Sequence, residues 1–199
     1  MGLTAFGREV IQECNRLGIL VDLAHASADT LVAALQVTTK PVLVAHTGLD
    51  TQLGTNPDMA RLMRPRLINR EQARTVAGAG GVIGVWTHLA DTPLAYAQNI
   101  RALVEVVGID HVCLGTDTKL IPAYRPPGDA GSGRGPGGAG SRPPGPRVGE
   151  RTNEAWAGQQ VGFYYAVAEA LLQTGFAPDE IGKIGSGNFC RVFGAATEK

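Results

Sequence analysis

The chain reads as an α/β protein built on a parallel sheet, and three observations predict it. Short apolar runs that suit buried strands alternate with amphipathic helical stretches. Capping residues and glycines fall at the junctions between them. Two of the runs end in histidine and a third in aspartate, the placement expected where strand ends converge. The strand runs are 19–25, 41–46, 81–86 and 111–117. Strands that alternate with helices need right-handed crossovers, so the sheet is expected to be parallel.

Each element has its own signal. Thr4 is placed to cap a helix whose Phe6, Val10, Ile11 and Leu17 fall near helical spacing, and Gly18 stops it. Ser27 caps a helix carrying Leu31, Val32 and Leu35; Asn69 caps one that begins at Arg70. Thr92-Pro93 pairs a cap with proline at the first helical position, opening a helix with Ile100, Leu103, Val106 and Val107 on one side. Trp156, Val161, Tyr164, Tyr165, Val167, Ala168, Leu171 and Leu172 predict a long apolar core helix, and residues 177–195 a final helical pair. Between them, glycine and proline supply 14 of the 22 residues from 126 to 147. That composition buries too little apolar area to offset ordering entropy, and predicts a flexible loop within one domain spanning 1–199.

Composition narrows the function classes. The 18 basic and 18 acidic residues balance, which gives no electrostatic case for nucleic acid or an anionic membrane. No apolar run approaches the roughly 20 residues that span a bilayer, and the amino terminus lacks a signal-peptide pattern, so a cytoplasmic location is expected. Cys14, Cys113 and Cys190 are odd in number and widely spaced, which argues against a disulfide framework or a thiolate zinc site.

The polar strand ends carry the chemistry. One strand-end histidine is commonly a hydrogen-bonded rim residue, but His25 and His46 end successive strands and Asp117 ends a later one. Two imidazoles and a carboxylate brought together by strand convergence point to a hydrolytic metal site. Asp22 has the opposite parity to His25, which predicts a structural carboxylate facing the helix layer. His88 is expected at the rim, and His111, at a strand start, away from the chemistry. Gly115 shares the face of Asp117 and is expected to leave room beside the site.

Several segments in order resemble the membrane (renal-type) dipeptidase family. They are Gly2-Leu3-Thr4-Ala5-Phe6-Gly7-Arg8-Glu9-Val10, Asn15-Arg16-Leu17-Gly18, Val21-Asp22-Leu23-Ala24-His25-Ala26-Ser27, the Pro41 to His46 run and the Gly80 to Val85 strand. Leu114-Gly115-Thr116-Asp117 and Gly187-Asn188-Phe189-Cys190-Arg191-Val192-Phe193 complete the series. The resemblance implies a metal-dependent (β/α)8 TIM barrel that hydrolyses dipeptides with two zinc ions. It implies that His25 and His46 are zinc ligands from the fifth and sixth strands and that Asp117, ending the eighth, is the acid/base residue. The family's carboxylate-binding arginine falls at Arg66 in Arg64-Pro65-Arg66-Leu67, where leucine stands in place of asparagine and Arg61, Arg64 and Arg70 lie close by.

These roles have physical reasons. Imidazole suits zinc, which lowers the pKa of a bound water to about 7. A carboxylate can take the nucleophile's proton and pass it to the leaving amine, and a guanidinium can grip a terminal carboxylate with two parallel hydrogen bonds. The family's His-x-Asp pair and bridging glutamate have no counterpart here, so the resemblance implies only the last four strand-helix units of the barrel. An incomplete barrel has open sheet edges, and the expected partner is a second copy or the missing amino-terminal half. The alternatives are another amidohydrolase-like metallohydrolase and a non-catalytic half-barrel that associates through its edges.

Overall fold

A computed structural model describes residues 2–117, Trp156 and 161–198 of the chain. Three of the apolar runs form short parallel strands, β1 (Leu43–Thr47), β2 (Val82–Val85) and β3 (Val112–Leu114), hydrogen-bonded in sequence order. β1 pairs with β2 through Leu43 with Val82 and Val44 with Ile83, then slips so that Thr47 faces Val85. β2 and β3 keep one register from Ile83 with Val112 to Val85 with Leu114.

The run at 19–25 does not become a fourth strand. It bridges β1 only at Asp22, where Leu43 N–H donates to Val21 O at 3.0 Å and Leu23 N–H donates to Leu43 O at 2.8 Å. The chain then turns, because the Asp22 carboxylate takes the Ala24 N–H at 2.9 Å and His25 adopts φ 62°. A local side-chain acceptor has replaced the ladder.

The predicted caps are present. Thr4 accepts the Gly7 N–H at 3.0 Å to open α1 (Ala5–Leu17), and Gly18 ends it at φ 71°. Ser27 caps α2 (Ala28–Leu35). A further helix, α3 (Pro57–Met63), has no counterpart among the predicted elements, although Asn56-Pro57 carries its signal: Asn56 Oδ1 accepts from Asp58 and Met59. Asn69 and Gln72 form a reciprocal capping box on α4 (Arg70–Gly78), and Thr92 caps α5 (Pro93–Val107).

The carboxyl-terminal part differs from expectation. The apolar helix does not start near Trp156; α6 runs from Phe163 to Gln173. Trp156 stands apart, its indole donating to Ala90 O at 2.9 Å and its ring stacked on Phe163 at 5.5 Å. Only Val167, Ala170 and Leu171 of α6 are buried, whereas Tyr164 and Tyr165 are 65% and 76% exposed. One stripe at helical spacing reaches the core, Phe163 packs at its edge, and Tyr164, Tyr165 and Leu172 face outward. The expected helical pair is α7 (Pro178–Gly182) and α8 (Asn188–Thr197), joined by a π turn over 183–187. The Gly/Pro-rich stretch at 126–147 lies outside the described residues.

The sheet has two faces. Val42, Val44, Ile83, Val85 and Val112 pack toward the helices with Val76, Tyr96, Ile100, Leu103, Leu171 and Ile184 in the main core. Full burial of each such side chain stabilises by about 1.5–3 kcal/mol. On the other face Leu20, Leu43, Val82 and Cys113 meet Val192 of α8. Asp22 shares the side of Leu20, since Val21 and Leu23 pack with the helices, so it does not face the helix layer as its parity had implied. On this face a Cβ at Gly84 or Gly115 would collide with the Ala45 carbonyl oxygen. Gly115 therefore opens no space. It permits the close approach of neighbouring backbone.

Candidate active site

The strand ends bring four polar side chains together. His46 belongs to β1, His25 lies in the turn after Leu23, and His88 and Asp117 lie just past the ends of β2 and β3. The Nε2 atoms of His25 and His46 are 2.9 Å apart, with ring centroids at 4.7 Å and planes at 73°. The Asp117 carboxylate lies between two imidazoles: Oδ1 is 3.9 Å from His46 Nε2, and Oδ2 is 3.7 Å from His88 Nε2. Asp117 holds φ 51°, so it and His25 are the non-glycine residues with left-handed backbone among those described.

Local structure explains the placement. Asp22 Oδ1 accepts both the Ala24 N–H at 2.9 Å and the Ala45 N–H at 3.0 Å, tying the turn that carries His25 to the strand that carries His46. The structural hydrogen-bonding role expected of Asp22 is thus observed, on the other face. The register slip between Val44 and Thr47 spans Ala45 and His46. Thr47 Oγ1 donates to Arg66 O at 2.9 Å, and Ile68 N–H donates to Gly48 O at 3.0 Å, which docks the 64–68 segment onto the end of β1.

That docking places Arg66 beside His25 along one cleft, which Leu23, Val44, Thr47 and Gln72 also line. One guanidinium nitrogen donates to Leu62 O at 2.9 Å. Arg61 instead faces Asp58 at 3.2 Å on the surface. Burial holds the His25 imidazole below its ordinary pKa, followed by the neighbouring His46 and the Arg66 charge, against the opposing pull of Asp117 and Asp22. The neutral ring, which has a lone pair to offer, is the form favoured.

Two features were not legible in the sequence. His88, expected at the rim, is 4% exposed. Trp86 is fully buried and its ring backs all three histidines, at 6.3 Å from His25, 6.4 Å from His46 and 5.0 Å from His88. Trp86 ends an apolar run and His88 lies two residues beyond it, a pattern that a buried strand end and an exposed rim share. His111, as expected, lies at the entry to β3, with Nδ1 2.8 Å from Gly81 O.

The donors suit a metal ion in kind. Two imidazole nitrogens converge, and a carboxylate stands at 3.9 Å from one of them. They supply two positions only: among the described residues no group of three or more His, Cys, Asp or Glu side chains is arranged to hold a metal. Catalytic zinc commonly needs three protein ligands. The pair fits as part of a centre and does not complete one.

Comparison with known proteins gives a consistent picture. Residues 1–125 match the profile of the membrane dipeptidases, peptidase family M19. An uncharacterised dipeptidase of Schizosaccharomyces pombe is 34% identical over 130 residues, which cover 61% of this chain and 29% of that protein. Dipeptidase 3 of Rattus norvegicus is 26% identical over 200 residues, covering 96% of this chain and 33% of its own length. The chain thus spans about a third of the curated relatives it matches. An amidohydrolase from Pseudomonas aeruginosa superposes with a TM-score of 0.72 at 24% identity, over 100% of this chain and 58% of its own. A metallopeptidase from Rhodobacter sphaeroides, solved with a phosphinate mimic of L-Ala-D-Ala, gives 0.66 at 17% identity, over 98% of this chain and 47% of its own. At these identities the likeness shows a shared fold over roughly half of each of those chains.

Proposed function

Since this chain belongs to the membrane dipeptidase family, we propose that it supplies the carboxyl-terminal half of the active site of a zinc-dependent dipeptidase barrel. The observation that carries the reading is the convergence of His25 and His46, with Nε2 atoms at 2.9 Å, beside the Asp117 carboxylate. In it, His25 and His46 hold the metal, Asp117 moves the proton, and Arg66 binds the substrate's terminal carboxylate.

When bound, zinc supplies Lewis-acid activation of water and of the peptide carbonyl. The chain's own residues do the rest. Asp117, 44% exposed at its side chain, can accept a proton from the nucleophile at Oδ1 or Oδ2 and return it to the leaving amine. Arg66, on the cleft that His25 also lines, has donors left after its bond to Leu62 O with which to hold a carboxylate in two-point contact. A terminal carboxylate fixed near the reacting centre limits the substrate to short peptides. Burial, which lowers the His25 pKa, favours the neutral ring that a metal requires.

The missing ligands come, in this reading, from the first half of the barrel, and the reading is supported by the chain's spanning only about a third of the curated relatives' length. The test is to measure zinc binding and dipeptide hydrolysis for the chain alone and for the chain combined with the amino-terminal half of a family member. Weak zinc binding and little turnover by the chain alone, with turnover on combination, is the expected result. A combined protein that folds yet neither binds zinc nor cleaves dipeptides overturns the reading, and vigorous chelator-sensitive turnover by the chain alone overturns the need for the other half.

A further inference from the structure

We propose that Thr87 and His88, just past β2, form a clamp that orients Asp117, which makes His88 a positioning residue for proton transfer. This rests on the dipeptidase reading of Asp117. Two consecutive residues at one strand end engage two consecutive residues at the next: Thr87 Oγ1 donates to Thr116 O at 3.3 Å, and His88 Nε2 stands 3.7 Å from Asp117 Oδ2. The clamp is buried, with Thr87 at 0% and His88 at 4% exposure, whereas the Asp117 side chain it addresses is 44% exposed.

An exposed aspartate rotates freely about its Cβ–Cγ bond unless something distinguishes its two oxygens. Here the two oxygens face different imidazoles. Attraction between Oδ2 and His88 turns Oδ1 toward His46 and the metal-facing pair, 3.9 Å away. At 3.7 Å the contact lies beyond hydrogen-bond range, so it acts through the dipole of a ring N–H rather than through a fixed bond. His88 itself packs against the Trp86 indole, with ring centroids at 5.0 Å, the same ring that backs His25 and His46. One aromatic plate thereby sets the relation between the proposed metal ligands and the proton carrier.

The direct test reads the Asp117 carboxyl resonance by NMR in the 199-residue chain with carbon-labelled aspartate. His88→Ala is expected to shift that resonance while those of Asp22 and Asp110 stay in place, and His88→Gln, which keeps an N–H donor, to leave it near the parent position. In the combined two-half enzyme, His88→Ala should lower kcat about 10–100-fold with KM and zinc content nearly constant, since lost orientation costs rate rather than binding. His88→Gln should recover most of that loss. An unmoved Asp117 resonance in His88→Ala, or a change in KM with kcat retained, overturns the clamp. If the unsubstituted two-half enzyme folds yet neither binds zinc nor cleaves dipeptides, the dipeptidase reading falls, and the resonance alone then decides whether His88 orients Asp117.

Discussion

His25, His46 and Asp117 sit within 4 Å of one another along a chain of contacts, yet their proposed roles separate cleanly by substitution. Asp117→Asn in the two-half enzyme keeps the side-chain shape and removes the group that carries the proton. It is expected to abolish turnover with zinc content nearly unchanged, read by metal analysis beside steady-state kinetics. His46→Ala removes a ligand, so metal and activity should fall together. At the same scale Gly115 is bound by sterics rather than chemistry. A methyl group there would strike the Ala45 carbonyl, so Gly115→Ala should destabilise the chain by roughly 1–3 kcal/mol in urea unfolding. An unchanged midpoint would show that the strands can part without cost.

At the scale of elements, helix starts were the most legible feature because a cap is a local contract between one side chain and the next turn. Thr4, Ser27, Asn69 and Thr92 each accept a backbone N–H within three residues of themselves. Asn69→Ala removes one side of a reciprocal box with Gln72 and is expected to lower stability by about 1 kcal/mol, measured by thermal or urea unfolding. Gln72→Ala should cost less, since it leaves the Asn69 acceptor in place. Strand extent was less legible. The 19–25 run and the 41–46 run have similar apolar character, but Asp22 diverts the first into a turn with its own carboxylate. Helix α6 shows the same limit: the spacing of its apolar residues marked a helix, but nothing local told Val167 from Tyr165 as the buried one.

Across the whole molecule, long-range side-chain contacts tie the carboxyl-terminal helices to the sheet. Asn188 Nδ2 donates to Ile109 O at 2.7 Å and to Val112 O at 2.8 Å, and Lys183 Nζ meets Asp110 Oδ1 at 2.7 Å. The hydrogen bond to Lys183 holds the Asp110 carboxyl below its ordinary pKa, and the same bond raises Lys183. A depressed acid stabilises above its unfolded value and loses that contribution as pH falls through the folded one; a raised lysine stabilises below its unfolded value and loses it as pH rises further. The stability difference between parent and Lys183→Met should therefore stay level from about pH 5 to 9 and vanish in stronger acid, as followed by thermal melts. A difference that persists in strong acid would mean that packing, not charge, joins these segments.

The amino-acid sequence alone determined the α/β class, the capped helices, the family and the chemical character of His25, His46, Asp117 and Arg66, because periodicity, capping and residue chemistry act over a few positions. Only the tertiary structure decided that the 19–25 run bridges at a single residue, that Gly115 serves backbone contact, and that His88 is buried against Trp86 beside Asp117. Those outcomes depend on which strand end lies next to which, and residues 29 positions apart, such as Thr87 and Thr116, become neighbours only when parallel strands pair.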